Sequence, residues 1–148
     1  VNIGWEFYGW AVTKALMDGY DVNYMPLSDL DERLDYYTPV IITNDDMIKN
    51  DPETVQKFMD ATKKGYEYAI DHPDEAAKIL HDDALTDTDM DFLKKSQQYL
   101  SEQYAKDADS WGVMKDSVWD NYTDFMYEYG LISQKISASD QYTNQFVK

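Results

Sequence analysis

The chain has 148 residues, about one domain by length, and carries 29 acidic against 13 basic residues for a net charge of −16. That balance repels phosphate backbones and anionic lipid, which excludes nucleic acid and membrane surfaces as natural partners. The lack of cysteine excludes disulfides, thiolate nucleophiles and zinc–thiolate sites, and no apolar run is long enough to cross a membrane as a helix.

The chain opens on "NIGWEFYGW", residues 2–10, in which one acid, Glu6, stands among two tryptophans, a phenylalanine and a tyrosine. Residues 1–5 read as a short buried strand. Val1 is not an initiator Met and "VNIGW" reads as a strand already under way, so the sequence is expected to be a piece of a longer protein. Trp10, Val12, Ala15 and Leu16 recur at loosely helical spacing over residues 8–18, with Gly19 as the stop. Residues 22–27 read as a short extended segment, and "SDLDERLD" as an acidic connector. "TPVIITN", residues 38–44, is β-branched, uncharged and bounded by turn residues, the pattern of a strand.

From there the chain reads as helical. Asp51 and Pro52 form an N-cap and first-turn pair, and Val55, Phe58, Met59, Thr62, Tyr66, Ala69 and Ile70 mark one face of a long helix with a core stripe. His72-Pro73 ends it and starts a shorter helix. Residues 88–104 carry a third helical pattern and residues 117–129 a fourth, whose aromatic residues Trp119, Tyr122 and Phe125 are expected in the core. Gly130 and Leu131 fit a Schellman ending, and the last residues read as a loose tail.

Motifs of catalysis fail. Asp87, Asp89 and Asp91 open like a calcium loop, but Phe92 and Gln98 stand where such a loop needs Gly and Glu. An acidic helix start is the simpler account. His72 and His81 fall in no metal-binding spacing, "NYT" at 121–123 lies inside a helical pattern, and there is no phosphate loop or nucleophile elbow. No catalytic residue, metal ligand or cofactor is therefore assigned.

The run "TPVIITNDDMIKNDPETVQKFMDATKKGYEYAIDHPDEAAKIL" resembles a segment of ABC-importer substrate-binding proteins of the thiamine-pyrimidine-precursor-like (NMT1/THI5-like) family. Pro52, Glu53, Val55, Ala61, Thr62, Gly65, Tyr66, Glu67, Tyr68, Ala69, Ile70, Pro73, Glu75, Ala76 and Ala77 carry the likeness, and "QYLSEQY" and "WGVMKDSVWDNYTDFMYEYGLI" are similar to that family's C-terminal helices. The resemblance implies an α/β, helix-rich, partial type II periplasmic-binding-protein fold, comprising its C-terminal part. Residues 1–34 would end the second lobe, residues 35–38 would be a hinge crossing, and residues 39–148 would complete the first lobe. It also implies an extracytoplasmic location, as a lipoprotein or in the periplasm, and an ABC permease as partner. A sheet left with too few strands would expose an edge, from which self-pairing into a homodimer is expected.

Ile3, Gly4 and Glu6 are similar to that family's cleft segment, where aromatics sandwich a pyrimidine and a carboxylate accepts from its amine. An aromatic slot with a few polar anchors suits such a ring. The expected ligand contacts are Trp5, Glu6, Tyr8 and Trp10, with Tyr37 at the hinge; core and edge packing is the competing account of the same residues. The implied function is capture, without catalysis, of a small heteroaromatic nutrient, with hydroxymethylpyrimidine or formylaminopyrimidine favoured. Riboflavin or an alkanesulfonate is an alternative ligand. Some relatives are pyrimidine-precursor synthases with a cysteine-rich cluster near the hinge; here that place reads Asp35, Tyr36, Tyr37, Thr38 and Pro39. A helical interaction domain without a ligand is the third reading.

Overall fold

The computed structural model describes residues 3–106, 108 and 110–147. Its elements are helical throughout. A π-helical turn over Tyr8–Val12 runs into α1, Thr13–Met17; 3-10 turns follow at Leu27–Asp29 and Glu32–Leu34. Then come α2, Asp45–Asn50; α3, Pro52–Asp71; α4, Pro73–Asp83; α5, Met90–Gln103; α6, Asp116–Glu128; and a 3-10 turn at Ala138–Asp140.

The helix signals in the sequence act as local chemistry predicts. The Asp51 carboxylate accepts from Thr54 N at 3.2 Å, and Asp89 caps α5 by accepting from Phe92 N at 2.8 Å. Pro73 starts α4 where its missing N–H costs nothing. Both glycine stops form Schellman closures. Tyr20 N–H donates to Ala15 O and Gly19 N–H to Leu16 O, while Leu131 N–H donates to Met126 O and Gly130 N–H to Tyr127 O. Gly19 and Gly130 sit at φ of 82° and 69°, which glycine adopts without a Cβ penalty.

The strands are the correction. Among the described residues there is no strand: 3–5, 22–26 and 40–43 run without a ladder, and Leu27 already belongs to a 3-10 turn. Residues 1 and 2 of the first expected strand lie outside the described residues. A β-branched run becomes a strand only when a neighbour takes its backbone N–H and C=O groups, and no described segment does so. Val40, Ile41 and Ile42 consequently stand exposed, Ile42 at 86%. The helix-rich character holds, but the α/β class is not seen in these residues. With no sheet there is no edge among them to support the expected self-pairing.

The chain divides into two compact units, residues 1–24 with 62–107, and residues 25–61 with 108–148. In the first, α4 packs on α5 around Ala77, Phe92 and Leu93, with Leu85 against them. Gln97 Nε2 donates to the Ala69 carbonyl at 3.3 Å, and Tyr66 meets Tyr104 edge-on at 4.8 Å, which ties the end of α3 to α5.

The second unit is held by aromatic stacks and one arginine. Tyr36 stacks on Tyr122 at 4.3 Å and Trp119 on Tyr142 at 5.6 Å. Arg33 grips Asp31 with Nε at 3.0 Å and Nη2 at 2.7 Å, reaches Glu128 with Nη1 at 2.6 Å, and lies over the Phe125 ring. The guanidinium hydrogen bond holds the Asp31 carboxyl below its usual range. Trp119, Tyr122 and Phe125 are half-buried as core residues of α6, whereas Phe58, expected in the core, is 57% exposed. Its helix is amphipathic, but the packing in that unit covers Val55 instead.

The expected loose tail is also corrected. Ala138 is buried and its N–H donates to Asp120 at 3.1 Å. The Asn144 amide brackets Met114, accepting from its N–H at 3.0 Å and donating to its carbonyl at 2.8 Å. The Tyr142 hydroxyl donates to Asp116 at 2.6 Å. Periodicity misses such docking because single side-chain bonds, rather than a repeated apolar face, hold the segment.

Two outcomes follow from this packing. Leu93→Ala removes a side chain 2% exposed and is expected to lower unfolding free energy by about 2–5 kcal/mol in urea denaturation, with Phe58→Ala far milder. The Asp116 bond raises the Tyr142 phenol from 10.0 to about 12. The stabilisation from that bond is therefore present below the unfolded pKa near 10 and is lost as pH rises through about 12. The difference in urea midpoint between the wild type and Tyr142→Phe is expected to shrink over that window and to be constant below it.

Candidate functional site

The aromatic segment at the start of the chain is fixed in the first unit by Gly9. This residue is buried, and its carbonyl accepts a hydrogen bond from Ser96 Oγ on α5. A Cβ at position 9 would stand 2.9 Å from Leu100 Cδ2 and 3.1 Å from Tyr99 Cδ1. The backbone thus lies directly on α5. Around this contact the chain forms a π turn over Tyr8–Val12, with Thr13 Oγ1 donating to the Tyr8 carbonyl at 2.7 Å. Such turns are rare and recur at functional sites.

The contact aims the flanking aromatics. Tyr8 packs between Tyr24, at 4.9 Å edge-on, and Tyr99, at 4.6 Å. Burial pushes the Tyr99 phenol above its usual range, and the neighbouring Tyr24 and Tyr8 add to the shift. Trp10 meets the Phe92 ring edge-on at 4.7 Å and remains 45% exposed. Trp5 and Glu6 stand on the exposed arm ahead of this, with Trp5 5.4 Å from Phe7. The Glu6 carboxylate has no protein donor among the described residues.

Trp10 forms part of the wall of an open groove of about 730 Å³ between α1 and the N-terminal end of α5. Phe92 and Tyr20 add apolar surface, while Lys14, Asp18, Asp87 and Asp89 supply charge. Lys14 is paired with Asp18 one turn along α1. The volume lies within the usual range for ligand clefts, about 300–1,000 Å³. Among the described residues no group of three or more His, Asp or Glu could hold a metal ion.

Tyr37 belongs to the second unit. Its hydroxyl accepts from Lys115 N at 2.9 Å, and its ring lies 6.2 Å from Trp119. With Tyr36, Val118 and Tyr122 the two line a cavity of about 60 Å³, room for only a few atoms. The structure thus gathers Tyr8 and Trp10 on α5, leaves Trp5 and Glu6 on the exposed arm, and gives Tyr37 a structural hydrogen bond in its own unit.

Comparison with known proteins gives this arrangement a lineage. The family model described as "NMT1/THI5 like" matches residues 1–76, which include the whole aromatic segment, α1, α2 and α3. The chain belongs to the NMT1/THI5-like family. It is 23% identical over 135 residues to a formylaminopyrimidine-binding protein of Halalkalibacterium halodurans, in a match that covers 86% of this chain and 39% of the relative. The chain therefore spans well under half the length of that curated relative.

Within this NMT1/THI5-like chain, Tyr20, Tyr24, Tyr99 and the Asp87–Asp89 pair are the neighbours of the aromatic segment that sequence reasoning missed. Tyr24 and Tyr99 lie 75 positions apart, and both pack on the Tyr8 ring. The "DTDMD" run was visible, but only as a failed calcium loop and a helix start.

A pair of glycine substitutions tests the seating of the segment. Gly9→Ala is expected to cost about 1–3 kcal/mol, because Leu100 and Tyr99 must give way. Gly65→Ala, inside α3 with open space around its Cβ, is expected to stabilise by about 0.5–1 kcal/mol. Thermal melts of the two variants, shifted in opposite directions, check both.

Proposed function

We propose that this chain is part of the extracytoplasmic substrate-binding component of an ABC importer, and that it captures a thiamine pyrimidine precursor, hydroxymethylpyrimidine or formylaminopyrimidine. Family membership carries this reading, and the relative named for formylaminopyrimidine supports the ligand class. The protein binds, carries and releases its ligand; no bond is made or broken.

Trp5, Glu6, Tyr8 and Trp10 are the proposed contacts, with Tyr37 at a hinge. The physics is that of a flat ring on aromatic surface, oriented by one carboxylate. The stacked ring supplies apolar burial, and an exocyclic amine satisfies Glu6, which has no protein donor of its own among the described residues. The full architecture would be the two-lobed type II fold, with residues 1–34 ending one lobe, 35–38 crossing, and 39–148 returning to the other. The unladdered, exposed run Val40, Ile41 and Ile42 supports this, since it is the surface a strand shows before its neighbours are in place. Lobe closure on the ligand would signal a membrane permease.

Calorimetric titration of the protein with aminopyrimidines tests the proposal. Binding is expected to weaken at least about tenfold in Glu6→Gln, the loss of a charge-assisted hydrogen bond. Absence of heat with every aminopyrimidine, together with heat on adding an alkanesulfonate or riboflavin, would reject the ligand assignment. Formation of a pyrimidine product by the protein would reject the non-enzymic reading in favour of a synthase.

A further inference from the structure

The groove beside α1 carries chemistry that the aromatic segment alone does not explain. We propose that it selects a protonated amine borne on a flat apolar body, with the Asp87 and Asp89 carboxylates taking the ammonium and Trp10 and Tyr20 the body. The inference rests on Trp10 being a ligand contact, as proposed above, and adds the charge class of what is bound and the residues that read it.

Charge within the groove is the first argument. Four charged side chains line it, and Lys14 is paired with Asp18 at the end of the same helix. That leaves Asp87 and Asp89. Asp89 spends Oδ1 on the N-cap bond to Phe92 N, so its other oxygen stays available. Asp87 is exposed and has no protein partner among the described residues. Two carboxylates without a cation on one wall favour a positive occupant.

The aromatic lining of the groove fits the rest of such a molecule. Trp10 is 45% and Tyr20 67% exposed, and both line the groove. Aromatic faces attract a cation within about 6 Å and offer apolar area to its body. The chain's net charge of −16 adds a general bias toward cations and against anions. A bare divalent metal is the poorer occupant, because the groove's acids are not gathered into a group of three. The groove of about 730 Å³ also far exceeds what one ion fills.

Calorimetry with three probes that share a phenylethyl body tests this: 2-phenylethylamine, neutral 2-phenylethanol and anionic 3-phenylpropionate. The amine is expected to bind at least fivefold more tightly than the alcohol at neutral pH, and the acid not at all. The double variant Asp87→Asn and Asp89→Asn should bring the amine to the level of the alcohol. Asn caps a helix as well as Asp does, so α5 is kept. Trp10→Leu should weaken amine and alcohol alike. Equal affinity for amine and alcohol, or a double variant that binds the amine as the wild type does, overturns the inference. The two proposals separate cleanly. Aminopyrimidine binding that depends on Glu6 but not on Asp87 and Asp89 removes the groove's role and leaves the proposed function. Amine binding that depends on the two aspartates, without heat from any aminopyrimidine, removes the proposed ligand and leaves the groove.

Discussion

The direct seating of the Gly9 backbone on α5 is the constraint on which the candidate site depends. Only a residue without a side chain lets the chain come this close to Tyr99 and Leu100. The approach brings the Gly9 carbonyl to Ser96 Oγ, and the polar pair is buried together, so neither group is left without a partner. Once position 9 is fixed, its neighbours have little choice. Tyr8 must fall toward Tyr24 and Tyr99, and Trp10 must turn over Phe92. The π turn absorbs the backbone change, and the Thr13 hydroxyl takes up a carbonyl within it.

The apolar core beneath this contact is small. Ala77, Phe92 and Leu93 form its buried centre, and Phe92 also supplies the ring on which Trp10 rests. One residue therefore serves both stability and the groove wall. The second unit solves the same problem with other means. Stacked rings and the Arg33 fork to Asp31 and Glu128 hold it where few aliphatic side chains are fully buried. The guanidinium is suited to this because its planar donors meet a carboxylate with two bonds at once while its face covers Phe125.

For binding, the useful feature is contrast between neighbouring environments. Tyr8 and Tyr99 are half-buried against each other, whereas Glu6 is exposed two residues before Tyr8. A ring that bridges the two would gain stacking at one end and a charge-assisted hydrogen bond at the other. The groove lined by Trp10 repeats the contrast with Asp87 and Asp89. The proposed capture of an amine-bearing ring draws on this pairing of aromatic faces with carboxylates.

The sequence by itself determined the family, the helices from Pro52 onward, their caps and both glycine stops. These rest on interactions a few residues apart: an Asp side chain reaching three positions along, a proline lacking an N–H, a glycine free to adopt positive φ. It also singled out the aromatic segment and its acid, the residues proposed as ligand contacts. Tertiary structure alone decided the rest. Residues 40–43 are β-branched in sequence yet form no strand among the described residues, because a strand needs a partner's backbone and propensity cannot supply one. Phe58 keeps the helical spacing of a core residue, yet 57% of it stays exposed. Residues 138–147 carry no periodic signal and are nevertheless docked, through Ala138, Tyr142 and Asn144. The setting of Trp10 against Phe92, with Asp87 and Asp89 lining the same groove, joins positions more than 70 residues apart. The close approach at Gly9, with the Tyr8–Tyr99 and Trp10–Phe92 ring contacts, brings them together.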